Sequence, residues 1–254
     1  MDEQNDCLRI RNLNKLFSNG KKAVENLNVT MYTNQIFALL GHNGAGKTTT
    51  ISMVTGLLPF TSGEAEVFGY DVFSQMAQIR QFMGVCPQHD ILFGQLTPEE
   101  HLDLFADFKG LDPSRKKEEI EKILADVDLL SHRTHLSKNL SGGQKRKLSI
   151  GIALIADSKL VLLDEPSSGM DLTARRKIWD MLKRQKQGRI IILTTHFMDE
   201  ADVLGDRIGI MAEGKVVTSG SSLFLKNRFG VGYNLTVVKQ AKEPNPQLES
   251  FIKE

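Results

Sequence analysis

The residues with the clearest chemistry lie in the glycine-rich stretch 41–49, which reads GHNGAGKTT. It fits the pattern G-x-x-x-x-G-K-[ST], in which glycines let backbone N–H groups approach phosphate oxygens closely. Lys47 would then reach the β- and γ-phosphates of a nucleotide, and the Thr48 hydroxyl would be a ligand of Mg²⁺. The phosphate-binding loop is assigned to Gly41, His42, Asn43, Gly44, Ala45, Gly46, Lys47, Thr48 and Thr49, with the His42 side chain expected to point outward.

Two adjacent acids, Asp164 and Glu165, follow the apolar run LVLL. Such a run predicts a buried strand, and open α/β sheets bind ligands at the carboxyl ends of their strands. Asp164 could hold Mg²⁺ directly or through water, and Glu165 could orient and deprotonate a water molecule. Alone, an apolar run that ends in two acids is common, and solvated acids at a strand end would be the favoured interpretation. Together with the phosphate-binding loop, it favours a metal ligand and a general base.

Three further residues have weaker signals. His196 follows the strand-like run RIIILTT, which would place it near the phosphate end of the site, although a lone histidine is usually structural or solvated. Gln88 ends another short apolar run, GVCP, and by composition is only a polar residue after a proline. Phe17 precedes the loop, and from spacing alone core packing is the simpler interpretation.

A second glycine turn, LSGGQ at residues 140–144, opens a helical sequence. The first N–H groups of a helix lack partners within the helix, so such a turn can also hold an anion. The sequence therefore contains two turns suited to phosphate, about a hundred residues apart.

The elements that position these residues can be read from periodicity. The runs LRIRNLNKLF and AVENLNVTMY alternate as strands of an antiparallel sheet, and QIFALL, KLVLLDEP and GRIIILTTH are buried core strands. TTTISMVTGLL is predicted to be a helix. LTPEEHLDLFADFKGL has Thr97 as N-cap, Pro98 at the first position and Glu100 completing a capping box. A second helix begins near Pro113, and DLTARRKIWDMLKRQKQG forms a helix that Gly188 stops.

The order of these elements predicts an α/β fold with an all-helical insertion. Residues 1–88 would hold the antiparallel strands and the phosphate-loop part of the core, and 89–157 the helical subdomain that ends in the LSGGQ helix. Residues 158–240 would be the second part of the core, with a hairpin turning at Glu213 and Gly214, and 241–254 a polar tail or linker.

Composition excludes several classes of protein. The 254 residues are 41% apolar and 25% charged, with a net charge of +1, so nothing in the charge balance indicates nucleic acid or an anionic membrane as partner. No apolar run reaches the roughly 18 residues of a spanning helix, and the first ten residues do not form a signal peptide. Cys7 and Cys86 are too few for a disulfide framework and suit a reducing compartment.

Taken together, the motifs resemble the nucleotide-binding domain of ATP-binding cassette (ABC) transporters. LSGGQ lies between the phosphate-binding loop and LLDEP, and SSGMD and a strand ending in TTH follow. The resemblance covers residues 8–239. It implies a P-loop NTPase core, with a mostly parallel sheet, an N-terminal antiparallel β subdomain and an inserted α-helical subdomain, and it implies ATP and Mg²⁺ as cofactors.

The resemblance also assigns a role to the second glycine turn. In this family two cassettes pair head to tail, and each LSGGQ turn caps the nucleotide held by the other, so Ser141, Gly142 and Gly143 would approach the partner's γ-phosphate. Gln144 completes the motif, and Asp171 matches the aspartate that communicates across the dimer.

Three other positions match further family roles. Phe17 matches an adenine-stacking aromatic, often tyrosine, and keeps its stacking face. Gln88 matches a glutamine that senses Mg²⁺ and the attacking water, and His196 matches the switch histidine. The catalytic positions, Lys47 and Glu165 among them, carry the residues typical of the family, so the resemblance implies a competent ATPase.

Finer similarity is to the first, N-terminal cassette of the A subfamily of eukaryotic transporters, which is linked mainly to lipid export. Residues 220–239 are the most discriminating stretch. A full transporter of this subfamily carries two cassettes and two membrane domains, so we expect this chain to be one domain of a longer protein rather than a soluble subunit. It would lie at the cytoplasmic face of a membrane, contact transmembrane domains, and be a monomer without ATP.

Two other functions stay open at this point. One is a cassette ATPase outside transport, as in DNA repair or translation; these carry a long coiled coil or a second cassette, and neither is present. The other is a regulatory nucleotide-binding module with negligible turnover, against which the presence of Glu165 and His196 argues.

Overall fold

The site is built on two β-sheets, which the computed structural model describes together with their flanking helices over residues 6–230. The antiparallel sheet has the strand order β2-β1-β4-β5 and the larger sheet the order β10-β9-β3-β8-β7-β6. The strands are β1 (Cys7–Leu16), β2 (Lys22–Tyr32), β3 (Gln35–Leu40), β4 (Ser62–Val67), β5 (Tyr70–Asp71), β6 (Met83–Cys86), β7 (Leu160–Asp164), β8 (Ile190–Thr195), β9 (Arg207–Ala212) and β10 (Lys215–Gly220). Among the strands of the larger sheet that lie within residues 6–230, only β10 runs antiparallel to its neighbour.

Helices connect these strands and cover the larger sheet. They are α1 (Lys47–Val54), α2 (Met76–Phe82), α3 (Pro98–Phe108), α4 (Pro113–Asp126), α5 (Gly142–Leu154), α6 (Leu172–Gln185), α7 (Met198–Leu204) and α8 (Ser222–Phe229). Short 3-10 helices at Leu130–His132 and Ser137–Asn139 lie between α4 and α5. Across residues 6–230, no helix has the length and apolar character needed to cross a bilayer.

The larger sheet is buried on both faces, which explains its continuous apolar runs. In β8, Ile190 and Ile192 join one hydrophobic cluster with residues of the antiparallel sheet, whereas Ile191 and Leu193 join a second cluster with the helices. The same alternation holds in β3 and β7. The two-residue period of a strand therefore divides each apolar run between two cores.

The observed elements agree with those predicted from the sequence in some places and differ from them in others. Thr97 and Glu100 form the predicted capping box of α3, and the last hairpin turns at Glu213 and Gly214. The predicted helix after the phosphate-binding loop is too long, because α1 ends at Val54 and Gly56 adopts a φ of 68°. All the regular secondary structure between α3 and α5 is helical.

Two predictions cannot be compared with the structure over their full length. The tail at 241–254 and residues 231–239 of the subfamily stretch lie outside the described residues. The division of the chain into the units 1–88, 89–157 and 158–240 stays a prediction.

Lys109, the residue that ends α3, joins the helical region to the core. Its Nζ donates to the Ile155 carbonyl oxygen at 3.1 Å and also bonds Ser158 Oγ. Burial lowers the Lys109 pKa from 10.5 to about 8, and the nearby Arg189 charge acts in the same direction. The folded chain therefore releases this proton at lower pH than the unfolded chain does.

We predict that burial of Lys109 makes the free energy of unfolding rise with pH above about pH 8, and that Lys109→Met removes this rise. Between about pH 8 and 10.5 the unfolded state binds more protons at this position, so the free energy of unfolding of the natural chain should rise relative to Lys109→Met. The expected relative gain is about 2–3 kcal/mol. Urea unfolding of both proteins at pH 7.5, 9 and 10.5 measures it, and a pH-independent difference would contradict it.

Candidate functional site

The predicted site residues meet at one edge of the larger sheet. Strands β3, β8, β7 and β6 are consecutive neighbours and run parallel, so their carboxyl ends lie side by side. The phosphate-binding loop follows β3, His196 follows β8, Asp164 ends β7, and Gln88 lies just after β6. Four separate segments of the chain thus meet because these strands are neighbours and run in the same direction.

The phosphate-binding loop turns tightly into α1. Gly46 caps the helix with a φ of 108°, and a Cβ atom there would lie 2.5 Å from the Ala23 carbonyl oxygen. Lys47, the first residue of α1, is buried and donates from Nζ to the carbonyl oxygens of Gly41 at 2.8 Å and His42 at 3.2 Å. The loop therefore wraps around its own lysine, with the N-terminus of a helix beside it.

The Lys47 ammonium group lies in a partly desolvated environment. Burial lowers its pKa, and the nearby carboxylates of Glu165 and Asp164 oppose that effect. Its Nζ is 3.8 Å from Glu165 Oε1. Because attraction between charges strengthens as water is excluded, this position suits a multiply charged anion such as a phosphate chain.

The acids at the end of β7 are not solvated, so that interpretation of the sequence is wrong. Asp164 and Glu165 are only 3% and 8% exposed. Thr194, on the neighbouring strand, donates from Oγ1 to Asp164 Oδ1. Thr194 Oγ1 itself accepts from the Glu165 backbone N–H at 3.0 Å. Glu165 has a φ of 50°, a left-handed conformation that costs energy for a non-glycine residue and that these bonds hold in place.

His196 contacts the carboxylate of Glu165. Its Nδ1 lies 3.1 Å from Glu165 Oε1, and since a carboxylate only accepts, the network assigns the proton to Nδ1. Lys47 and His196 thus meet the same carboxylate oxygen. The arrangement fixes the direction of Glu165 and leaves its second oxygen available to a water molecule.

A cavity of about 310 Å³ opens beside these groups. Its lining includes Phe17 as well as Gln88 and Glu165. Phe17 is half-buried and belongs to neither hydrophobic cluster, so the core-packing interpretation is wrong. The loop residues that line the cavity are Asn43, Gly44, Gly46, Lys47, Thr48 and Thr49. Gly41, His42 and Ala45 are not among the lining residues.

The LSGGQ turn is not part of this cavity. Ser141 caps α5: its Oγ accepts from the Gln144 N–H at 3.3 Å, and its own N–H donates to Gln144 Oε1 at 2.8 Å. Gly142 and Gly143 form the first turn of the helix with open space around them. The turn is therefore a preformed helix N-terminus outside the cavity that the chain's own phosphate-binding loop lines.

Asp171 is the N-cap of α6. Its Oδ1 accepts from the backbone N–H groups of Thr173 and Ala174 at 2.9 and 3.0 Å, and these bonds lower its pKa. A contact of Asp171 with a second cassette stays a prediction.

Arg146 contacts the site from α5, and the sequence did not reveal this contact. It lies on α5, two residues after LSGGQ, and is only 3% exposed. Its guanidinium donates to five backbone carbonyl groups around the site and to Asp90 Oδ1; the backbone acceptors are Pro87, Gln88, Asp164, Glu165 and Pro166. One buried side chain thus joins the LSGGQ helix, the acids at the end of β7 and the segment around Gln88.

We predict that Arg146→Leu destabilises the chain by about 3–5 kcal/mol, because it removes the ion-pair partner of Asp90 and leaves several buried carbonyl groups without their guanidinium donor. Lys145→Leu, one position earlier in α5, is the matched control and should change stability by less than about 1 kcal/mol. Denaturant unfolding measures both, and equal losses in the two variants would contradict the role of Arg146.

Comparison with known proteins agrees with this geometry. The family model described as "ABC transporter" matches residues 24–168. The human phospholipid-transporting ATPase ABCA3 is 56% identical over 236 residues, and the human retinal-specific phospholipid-transporting ATPase ABCA4 is 51% identical over 239 residues. These alignments cover 92% and 94% of the chain but only 14% and 10% of the relatives, so the chain spans a small part of their length.

Solved structures share the fold. An ATP-binding subunit of an ABC transporter superposes with a TM-score of 0.81 at 28% identity, covering 88% of this chain and 93% of the other. The dimeric structure of MJ0796, a bacterial ABC transporter cassette, superposes with a TM-score of 0.78 at 24% identity, covering 85% and 98%. The α/β fold predicted from the sequence is confirmed.

Proposed function

The chain belongs to the ABC transporter family, and from this premise we propose that it is an ATPase that binds MgATP in the cavity beside Phe17. The observation that carries the proposal is the meeting of three chemistries at one sheet edge. An aromatic side chain, a buried phosphate-binding lysine and a buried carboxylate line the same 310 Å³. The aromatic side chain suits a nucleotide base, the lysine suits a phosphate chain, and the carboxylate suits an attacking water.

The residues have separate roles in the proposed reaction, which converts ATP and water to ADP and phosphate. Lys47 and the loop N–H groups bind the β- and γ-phosphates, and Phe17 stacks on the adenine. Glu165 orients the attacking water and accepts its proton, while His196 fixes the Glu165 carboxylate and faces the γ-phosphate.

Mg²⁺ fits the oxygen donors at this edge. Thr48 offers a hydroxyl, Asp164 a buried carboxylate and Gln88 an amide oxygen, the hard ligands that Mg²⁺ prefers. Thr194 orients Asp164 from the next strand, as partners of metal-binding carboxylates do. When bound, the ion would neutralise charge that develops on the phosphate oxygens.

The exposed LSGGQ turn supports pairing with a second cassette. Within one chain the turn and the phosphate-binding loop lie apart, so Ser141, Gly142 and Gly143 would serve the nucleotide of a partner and Gln144 would brace the turn. A dimeric structure exists for the related MJ0796 cassette. We propose head-to-tail pairing, either with a second copy or with a second cassette of a longer chain.

The similar relatives suggest what the hydrolysis drives. Two of them are named phospholipid-transporting ATPases, and the chain aligns with one part of each. We therefore propose that this cassette powers movement of a lipid across a membrane, joined to transmembrane domains at the cytoplasmic face. Its neutral net charge supports no role in nucleic acid binding.

Replacing Lys47 tests the nucleotide site. Lys47→Ala should weaken binding of a fluorescent ATP analogue by about 10–100-fold, the range expected for a lost hydrogen bond to a charged group, and phosphate release should disappear with it. Lys122→Ala, which removes an exposed lysine of α4, is the matched control and should bind like the natural chain. Unchanged affinity in Lys47→Ala would contradict the proposed site.

A further inference from the structure

A side-chain network behind the LSGGQ turn includes a histidine from outside the motif. His132 ends the 3-10 helix Leu130–His132, and its Nε2 lies 2.9 Å from Gln144 Nε2. Its other ring nitrogen, Nδ1, lies 2.9 Å from Ser131 Oγ. We propose that His132 is a positioning residue: it holds Gln144, and through Gln144 the LSGGQ turn, in the shape that receives a partner's nucleotide. This inference rests on the proposed pairing of cassettes.

The hydrogen bonds fix the direction of the network. The oxygen of the Gln144 amide accepts from the Ser141 N–H, so the amide nitrogen must face His132. That nitrogen only donates, and His132 Nε2 must therefore be an acceptor without a proton. The proton of the neutral ring is then on Nδ1, directed at Ser131. If the Gln144 amide were reversed, its NH₂ group would face the Ser141 N–H, and that hydrogen bond would be lost.

The anchor of His132 lies in the helical region, outside the turn. Its backbone N–H donates to the carbonyl oxygen of Leu129, which is fully buried, and this bond anchors it. The exposed ring of His135 lies edge-on beside the His132 ring, with centroids 5.2 Å apart. Gln144 is half-buried, whereas Ser141 is exposed. His132 therefore connects an exposed turn to a buried part of the helical region, which is what a supporting side chain must do.

The experiment uses Glu165→Gln, which should retain ATP and so accumulate the ATP-bound dimer, as the parent. In that parent, His132→Leu removes the acceptor at similar size, His132→Gln restores an amide oxygen near the position of Nε2, and His135→Leu removes the neighbouring ring as the matched control. Sedimentation velocity with MgATP gives the dimer dissociation constant, and a fluorescent ATP analogue reports binding by the monomer.

We expect His132→Leu to weaken dimerisation without changing the binding of the ATP analogue by the monomer. His132→Leu should bind the analogue like the parent, because the phosphate-binding loop is untouched. The dissociation constant of its dimer should be higher by roughly 25-fold. The dimer contains two LSGGQ turns, and the hydrogen bond lost at each turn contributes roughly fivefold. His132→Gln should recover most of that loss, and His135→Leu should match the parent. Equal dimerisation by His132→Leu and the parent would overturn the role of His132. Failure of the parent itself to dimerise would instead overturn the pairing.

The tautomer gives a readout that does not depend on pairing. In long-range ¹H–¹⁵N spectra of the folded chain, His132 should carry its proton on Nδ1, and Gln144→Leu should release that preference. A proton on Nε2 in the natural chain would overturn the hydrogen bond on which the proposal stands.

Discussion

Glu165→Gln is expected to lower kcat for ATP hydrolysis by about 10²–10⁴-fold while leaving ATP binding intact. The factor is the usual contribution of a general base, which an amide cannot replace. Binding should survive because glutamine keeps the size of Glu165, and the Lys47 ammonium keeps its bonds to the Gly41 and His42 carbonyl groups. Loss of the carboxylate would also free Lys47 from a neighbour at 3.8 Å, which favours phosphate binding.

The Glu165→Gln prediction has a matched control on the surface. Glu121→Gln makes the same chemical change at an exposed position of α4 and should leave kcat unchanged. Steady-state phosphate release at saturating MgATP, together with binding of the fluorescent analogue, separates turnover from affinity. Turnover within twofold of the natural chain would rule out Glu165 as the base.

Gly143→Met is expected to lower turnover by about 10²–10³-fold without disturbing the monomer. A Cβ at Gly143 would meet no atom within 4 Å, and the residue has no left-handed backbone, so the isolated fold does not require glycine there. A helix former should even stabilise the first turn of α5 by up to about 1 kcal/mol. The loss comes from blocking the approach of a partner's γ-phosphate, and its size is that of losing one preorganised donor group.

Lys145→Met is the control for Gly143→Met, because it places the same side chain two residues later in α5. It should retain turnover, and both variants should bind ATP like the natural chain. Unchanged turnover in Gly143→Met would mean that the turn does not approach a nucleotide. Loss of thermal stability would mean that the glycine serves the fold instead.

The sequence predicts most of the site because the site depends on strand direction. A buried apolar run followed by a polar residue places that residue at the carboxyl edge, and Asp164, Gln88 and His196 all follow such runs. Their proximity required only that the strands be parallel neighbours. The capping box at Thr97 was equally predictable, because capping depends on residues three positions apart.

Elements with weak periodicity were not predicted. Strand β4 has only Ala65 and Val67 as buried apolar residues, and it is held by pairing with β1. Helices α7 and α8 have seven and eight residues, too short for a clear apolar period. Tertiary contacts stabilise these elements, and a single sequence does not reveal such contacts.

Arg146 and His132 show the same limit at single residues. Arg146 lies in the basic run KRK, which indicates a solvated helix face, yet burial and six acceptor groups make it the centre of a network. The only signal was its place one helical turn before Ile150, on the face that packs into the core. His132 is twelve positions from Gln144, and only the folded chain brings the two side chains together.

Sedimentation velocity of the Glu165→Gln chain with and without MgATP tests the central claim most directly. The account predicts a monomer without nucleotide and a dimer with MgATP, and Gly143→Met in the same chain should abolish the dimer. A chain that binds ATP and stays a monomer at every accessible concentration would contradict capping of the nucleotide by the LSGGQ turn of a second copy.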